Sequence, residues 1–214
     1  MIKQSKNIGD YSYSRRKITP IRIVRFIFRR LAHLFYKTSI DYLMEKNLKE
    51  ETPEIENSLH LEWRLAGEDD LPAFRNFLPR FYITSFQKRF VENVENEHCL
   101  MATNKGDIVH FCWFTWDENY CNNDQDFWIE IGTNKAYIYD AYTRLSFRNQ
   151  GIHQEAYRRI NKRLLDMGKK HSITMMNKKN LNSIFTALQV GFKLKGTIFY
   201  RRILWHKKSW FVPS

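Results

Sequence analysis

Between Tyr137 and Ile160 the chain reads YIYDAYTRLSFRNQGIHQEAYRRI, and no other stretch restricts the fold as much. An apolar, aromatic, β-prone run to about Phe147 passes into a polar turn centred on Arg148 to Gly151, and then into helical periodicity. Strand, tight turn and helix in that order build an anion site, because the first amides of a helix lack partners within it and carry its positive dipole end. Gly151 lacks the side chain that would keep a diphosphate away from the backbone. Arg148, entering the turn, adds a permanent positive charge.

The rest of the chain has material to support such a motif. Of 214 residues, 43% are hydrophobic and 15% aromatic, enough for one cored domain with an extension. The net charge of +12 predicts an acidic partner, whether phosphorylated cofactor, anionic lipid, acidic carrier protein or nucleic acid. Cys99, Cys112 and Cys121 are odd in number, without CxxC spacing or nearby histidines at metal-ligand offsets, which argues against a disulfide framework or a zinc site. A reducing, cytoplasmic setting is expected. No uncharged apolar run reaches 18 residues, and the basic start lacks the pattern of a secretory signal.

Charge is unevenly placed. Residues 1 to 50 hold 12 Lys/Arg against four acids, so +8 of the +12 falls in the first quarter, which reads as a separate basic arm. After Thr19 as cap and Pro20, the stretch Arg22 to Lys37 sets Ile23, Val24, Ile27, Phe28, Leu31, Leu34 and Phe35 on one side of a helix, with arginines on the other. The helical pattern is expected to continue to about Leu48. A basic amphipathic helix over residues 20 to 48 can lie on an anionic membrane or meet an acidic carrier, or its apolar stripe can pack on the parent domain. Residues 51 to 58 read as a linker, and residues 59 to 214 as the main domain.

In that domain, Leu59 to Ala66 alternates as a strand, Glu68 to Pro72 opens a helix, and Phe81 to Asn93 suggests a second. Asn104-Lys105-Gly106-Asp107 joins two strands in a hairpin. A polar loop, Asp117 to Asp126, precedes FWIEI and the YIYDAYT strand. After the Gly151 turn, Ile152, Ala156, Ile160 and Leu164 recur at spacing four and should pack on the sheet. HSITMM reads as a strand, Leu181 to Leu188 as a short helix capped at Gly191, and GTIFYRRILW as a closing strand.

This order of elements resembles the GCN5-related N-acetyltransferase (GNAT) superfamily over about residues 59 to 205, an α/β (α+β) fold with a mixed, mostly antiparallel sheet flanked by helices. Arg148-Asn149-Gln150-Gly151-Ile152 is similar to that family's Arg/Gln-x-x-Gly-x-Gly/Ala pyrophosphate turn. Asn180-x-x-Ser183 followed by Gly191-Phe192 is similar to its Asn-x-x-Ala/Ser and Gly-Phe pair, eleven residues apart in both. Two departures stand out: His153 occupies the third position of the turn, and Ala187 stands where the family places its general-acid tyrosine.

The resemblance implies an N-acyltransferase using acetyl-CoA or another acyl-CoA. Thr143, Leu145, Arg148, Asn149, Gln150, Gly151, Ile152, His153, Asn180 and Ser183 would then hold the cofactor. A neutral primary amine attacks the thioester directly, so the site needs an oriented carbonyl, a donor to the oxyanion and a route for the amine's proton. The strand Ala141 to Leu145 would supply the first two from its backbone. For the proton, Asp140 and Glu130 are the candidate carboxylates; pairing of Asp140 with Arg144, Arg158 or a backbone amide is the structural alternative. Tyr139, Tyr142 and Ser183 are candidate replacements for the missing acid. His110 and His171 read as packed strand residues, His153 as an exposed first-turn residue. Trp113, Trp116 and Trp128 are core residues or lining of an acceptor pocket.

The acceptor is expected to be a small or lipid-linked amine, with the protein peripheral on the inner face of a membrane. Two alternatives are a long-chain N-acyl amino acid synthase drawing on acyl carrier protein, and a non-catalytic ligand-binding module. Nucleic acid is disfavoured, because the basic residues outside the arm are not interleaved with aromatics in any RNA-binding motif.

Overall fold

The computed structural model describes residues 36–53, 59–78, 89, 97–117, 119–122 and 127–214. Among these residues the strands are β1 Tyr36–Asn47, β2 Glu62–Leu65, β3 Glu97–Asn104, β4 Asp107–Thr115, β5 Asn119–Asn122, β6 Phe127–Glu130, β7 Lys135–Thr143, β8 His171–Asn177, β9 Lys193–Ile203 and β10 His206–Pro213. The helices are α1 Leu71–Phe77, α2 Ile152–Asp166 and α3 Leu181–Gln189. Eight strands form one sheet in the order β10-β9-β1-β8-β7-β4-β3-β2, while β5 and β6 pair apart from it. Only β7 and β8 run parallel; the other neighbours are antiparallel. This is the mixed, mostly antiparallel α/β architecture expected from the sequence.

The N-terminal quarter departs from expectation. Tyr36 to Asn47 is a strand lodged between β8 and β9, with Asp41 opposite both Asn177 and Ile198, so the domain does not begin at residue 59. The helix expected to reach Leu48 does not include Tyr36 to Asn47; residues 1 to 35 of the expected arm lie outside the described residues. Residues 36 to 47 are therefore not available as a membrane or carrier helix. The strand hides itself in sequence because two of its buried residues are charged. Asp41 accepts bonds from Ser39 Oγ (2.8 Å) and Asn177 Nδ2 (2.9 Å). The Lys46 ammonium reaches the Glu50 carbonyl at 3.3 Å. Binary patterning cannot expose a strand whose inward positions are polar.

The sheet buries both faces. On one, Cys112, Phe114 and Ile138 meet Ala156, Ile160 and Leu164 of α2 and Ala187 of α3. On the other, Phe111, Trp113, Tyr137 and Tyr139 meet Phe74 of α1. A central strand covered twice reads as a continuous apolar run, as β4 does in HFCWF. All four residues of the expected α2 stripe are buried, and each contributes about 1 to 3 kcal/mol on transfer from water. The β3–β4 turn takes its two residues at positive φ, Lys105 at 52° and Gly106 at 85°, as a tight hairpin requires. Gly191 is likewise left-handed at 92° and stops α3. Of the second expected helix, Phe81 to Asn93, only Arg89 is described, in helical conformation.

Candidate active site

β7 and β8 lie side by side only from Lys135 opposite His171 to Ile138 opposite Thr174. Past that point they part, and two features of β7 drive the opening. Trp113 faces Tyr139 and Phe111 faces Tyr142, so Asp140 and Ala141 share a single opposite residue, Cys112. This β-bulge puts Asp140 at φ 51°, a left-handed conformation that re-aims its side chain. The chain then tightens through a 3-10 turn, Leu145–Phe147, before the helix.

A cleft of about 370 Å³ fills the opening. Ala141, Tyr142 and Thr143 form one wall, and Phe147, Arg148, Asn149 and Gly151 the turn above it. Ile152, His153 and Gln154 supply the start of α2, and Asn180, Asn182, Ser183 and Thr186 that of α3. Nine of the thirteen sequence-selected residues therefore come together here. Leu145 and Gln150 do not line it: Leu145 is exposed, and Gln150 Nε2 donates to the Ser146 carbonyl at 3.2 Å, bracing the turn from outside. Glu130 and Asp140 are absent from the lining as well.

Asn149 at φ 60° and Gly151 at φ 73° are both left-handed, and Gly151 is the N-cap of α2 with no side chain closing it. The Glu155 amide makes the first bond of the helical ladder, to the Gly151 carbonyl at 2.9 Å. The amides of Ile152, His153 and Gln154 therefore stand ahead of that ladder at the cleft, where the helix dipole is positive. Arg148 leans back along the wall: its Nε donates to the Thr143 carbonyl at 3.1 Å, and its guanidinium lies 5.5 Å from the Tyr142 ring. Opposite, Asn180 is both cap and lining, its Oδ1 accepting from the Ser183 amide at 3.4 Å. The chemistry of this donor set suits a diphosphate.

The histidines differ from expectation. His153 is half-buried, its ring 4.5 Å from Tyr157 and 5.3 Å from His110, rather than an exposed first-turn residue. The reason is helical spacing, since Tyr157 lies one turn along on the inward face. Burial pulls the His153 pKa down to about 4, and burial together with the neighbouring His153 holds His110 well below the usual range. Both rings are neutral near pH 7. His110 is fully buried, as expected, and its Nδ1 is 2.8 Å from Thr143 Oγ1. That links the cleft wall to the core through a pair not seen in sequence, where 33 residues separate the two partners. His171 is not packed in the core but is part-exposed and 3.1 Å from Glu45.

The two candidate bases separate. Asp140 is paired, though with none of the partners expected for it: Arg89 Nη1 donates to its Oδ2 at 2.7 Å. Glu130 ends β6 opposite Asn119, exposed and outside the main sheet, because FWIEI pairs with residues expected to be loop. Tyr139 donates its hydroxyl to Glu97 at 2.6 Å, and burial and that carboxylate push its pKa far up, so its proton is committed away from the cleft. Tyr142 and Ser183 do line the cleft. Ala187 is fully buried between α3 and the sheet, where a tyrosine would not fit without displacing core. Trp113 is core, Trp116 packs against the core and stacks on His98 at 4.5 Å, and Trp128 is exposed; none lines the cleft.

No protein-family model matches the chain, and no curated protein matches it in sequence. Solved structures match it in shape. An acetyltransferase of the GNAT family from Colwellia psychrerythraea is 17% identical, with 88% of this chain and 62% of that one covered at a TM-score of 0.52. A GCN5-related N-acetyltransferase from Sphaerobacter thermophilus is 15% identical, with 86% and 56% covered at 0.55. AAC(6')-Iy, solved with the bisubstrate analog CoA-S-monomethyl-acetylneamine, is 14% identical, with 63% and 92% covered at 0.50. The chain spans less than two thirds of the Colwellia and Sphaerobacter proteins. At these identities the likeness is one of fold.

Proposed function

On the GCN5-related N-acetyltransferase fold that this chain has, we propose that it is an N-acyltransferase, moving an acetyl or longer acyl group from a coenzyme A thioester to a primary amine. One observation carries the reading. The opening between β7 and β8 sits directly beneath a left-handed Asn149–Gly151 turn, Arg148 and the uncapped start of α2. The AAC(6')-Iy structure, on a similar fold, was solved with an analog joining coenzyme A to an amine-bearing acceptor. That coincidence of fold and ligand class supports the same chemistry here.

A coenzyme A thioester would bring an activated acyl carbon and a thiolate leaving group. The amides of Ile152, His153 and Gln154 and the guanidinium of Arg148 hold the diphosphate, and Gly151 leaves room for it. Asn180 and Ser183 bound the arm of the donor on the far wall. Asp140 takes the amine's proton: it adjoins the cleft wall at Ala141, and its ion pair with Arg89 fixes its direction. Tyr142 and Ser183, both in the lining, are the groups placed to protonate the departing thiolate. Neutral His153 leaves the phosphates to the backbone amides and Arg148 at neutral pH.

The decisive experiment is calorimetric titration with coenzyme A and acetyl-CoA, followed by thiol-release assays over a panel of primary amines. Binding in the micromolar range and amine-dependent thiol release are expected. No binding of either ligand would overturn the reading; binding without release on any amine would leave only the ligand-binding module.

A further inference from the structure

The turn between β9 and β10 is built against the preferences of its own type. Ile203 pairs with His206, so Leu204 and Trp205 alone make the turn. A two-residue hairpin turn with positive φ at its first position alone favours glycine there. Here Leu204 stands at φ 56°, a conformation that bulky residues rarely adopt. Its partner Trp205 is 77% exposed, and Leu204 and Ile203 are 42% and 46% exposed. Apolar residues thus occupy the one place in the hairpin where polar ones would be cheaper and better hydrated.

Directly behind this tip the register sets like charges opposite each other. Lys208 faces Arg201 and Lys207 faces Arg202, and Arg202 in turn faces Lys37 on β1. Opposed like charges cost a sheet stability. Arg201 and Lys208 are exposed, and neither takes part in an ion pair among the described residues.

The geometry points to the β9–β10 tip as a membrane-docking element, with Leu204 and Trp205 entering the interface of an anionic bilayer and the cations behind them engaging its headgroups. The shape selects a bilayer over other acidic partners. The tip is convex, with aliphatic and indole groups foremost and charge behind. That order matches the depth profile of a lipid interface, where Trp sits at headgroup level above an apolar interior. A nucleic acid would be met by charge first, and Ile203 and Leu204 cannot stack on bases. Direction adds a second point. β8 and β9 both run antiparallel to β1, and β7 runs with β8, so the tip lies at the end of the sheet where β7 and β8 open into the cleft. The inference does not require the catalytic reading, since its test reads adsorption alone.

The test uses the full chain with phosphatidylcholine vesicles, with and without phosphatidylserine, read by co-sedimentation. The key variant is Leu204→Gly with Trp205→Asn, which installs the favoured turn and so preserves the hairpin. It should lower affinity for the phosphatidylserine vesicles by about tenfold or more, and Arg201→Gln with Lys208→Gln by about fivefold for each cation removed. In the parent protein, bromine-labelled lipid should quench a fluorescence component that Trp205→Phe abolishes. Equal vesicle binding by the Gly-Asn variant would overturn the proposal, as would absence of vesicle binding by the parent. Capture of RNA or of an acidic protein through the tip without vesicle binding would overturn it too.

Discussion

Arg89 holds Asp140 by a 2.7 Å ion pair while its guanidinium lies 5.3 Å from the Trp113 ring and 5.2 Å from the Tyr139 ring. The cation is thus clamped between two aromatic faces and a carboxylate, 51 residues away in the chain. A charge so fixed orients Asp140 at the bulge, next to the cleft wall.

Asp140→Asn keeps the shape and removes the charge. If this carboxylate accepts the proton, kcat at neutral pH should fall on the order of a hundredfold, with little loss above the pKa of the amine, where the acceptor is already neutral. A pH-rate profile with thiol release separates this from a structural role, in which the loss is equal at every pH and the melting temperature drops. Arg89→Met should lower kcat as well, with KM for the thioester little changed, because Asp140 loses the partner that fixes its direction.

Arg148→Ala should raise KM for the thioester with little change in kcat, since the guanidinium sits at the turn and not at the reacting carbon. Gly151→Val should be worse. Gly151 sits at φ 73° as the N-cap, so a β-branched residue is strained there and fills the approach to the amides. Steady-state kinetics on both variants, with melting curves as control, check the order.

The depressed pKa of His153 gives stability a definite pH dependence. Between the ordinary histidine pKa near 6.5 and the folded value of about 4, the unfolded chain binds a proton that the folded chain does not. Stability from this group is therefore complete above about pH 6.5 and is lost as pH falls toward 4. Melting temperatures measured across that window should drop, and His153→Gln should flatten the slope. A bound diphosphate should oppose the trend, since an anion beside the ring favours its protonated form.

Deleting residues 1 to 50 removes β1 from the middle of the sheet. β8 and β9 would then face each other as parallel strands with no intervening partner, and Phe192 and Met176 would lose Met44 and Leu48 from their cluster. The truncated protein should be insoluble or should melt far below the parent. A folded, soluble product by circular dichroism would show that β8 and β9 can close the gap.

Features encoded within a few residues were legible in sequence. The Lys105-Gly106 turn, the Gly151 turn and the Gly191 stop each depend on local backbone demands, and each lies where the pattern put it. The α2 stripe is equally local. What stayed hidden depends on partners far away in the chain. β1 is a strand because β8 and β9 flank it, and its inward Asp41 and Lys46 broke the apolar alternation that would have marked it. Asp140 drew its partner from a segment with no sequence tie to it. His153 turned inward because Tyr157 and His110 shelter it, which a polar first-turn position does not announce.

The placement of β1 sets the timing of assembly on the ribosome. Asp41 bonds to Asn177, 136 residues downstream. At typical translation rates that delay is about ten seconds. β1 cannot find its place until β8 and then β9 have left the exit tunnel. Until then a strand bearing Ile40, Leu43 and Met44 waits with both edges unpaired, the state most exposed to wrong pairing. The middle of the sheet therefore stays open until the far part of the chain has emerged.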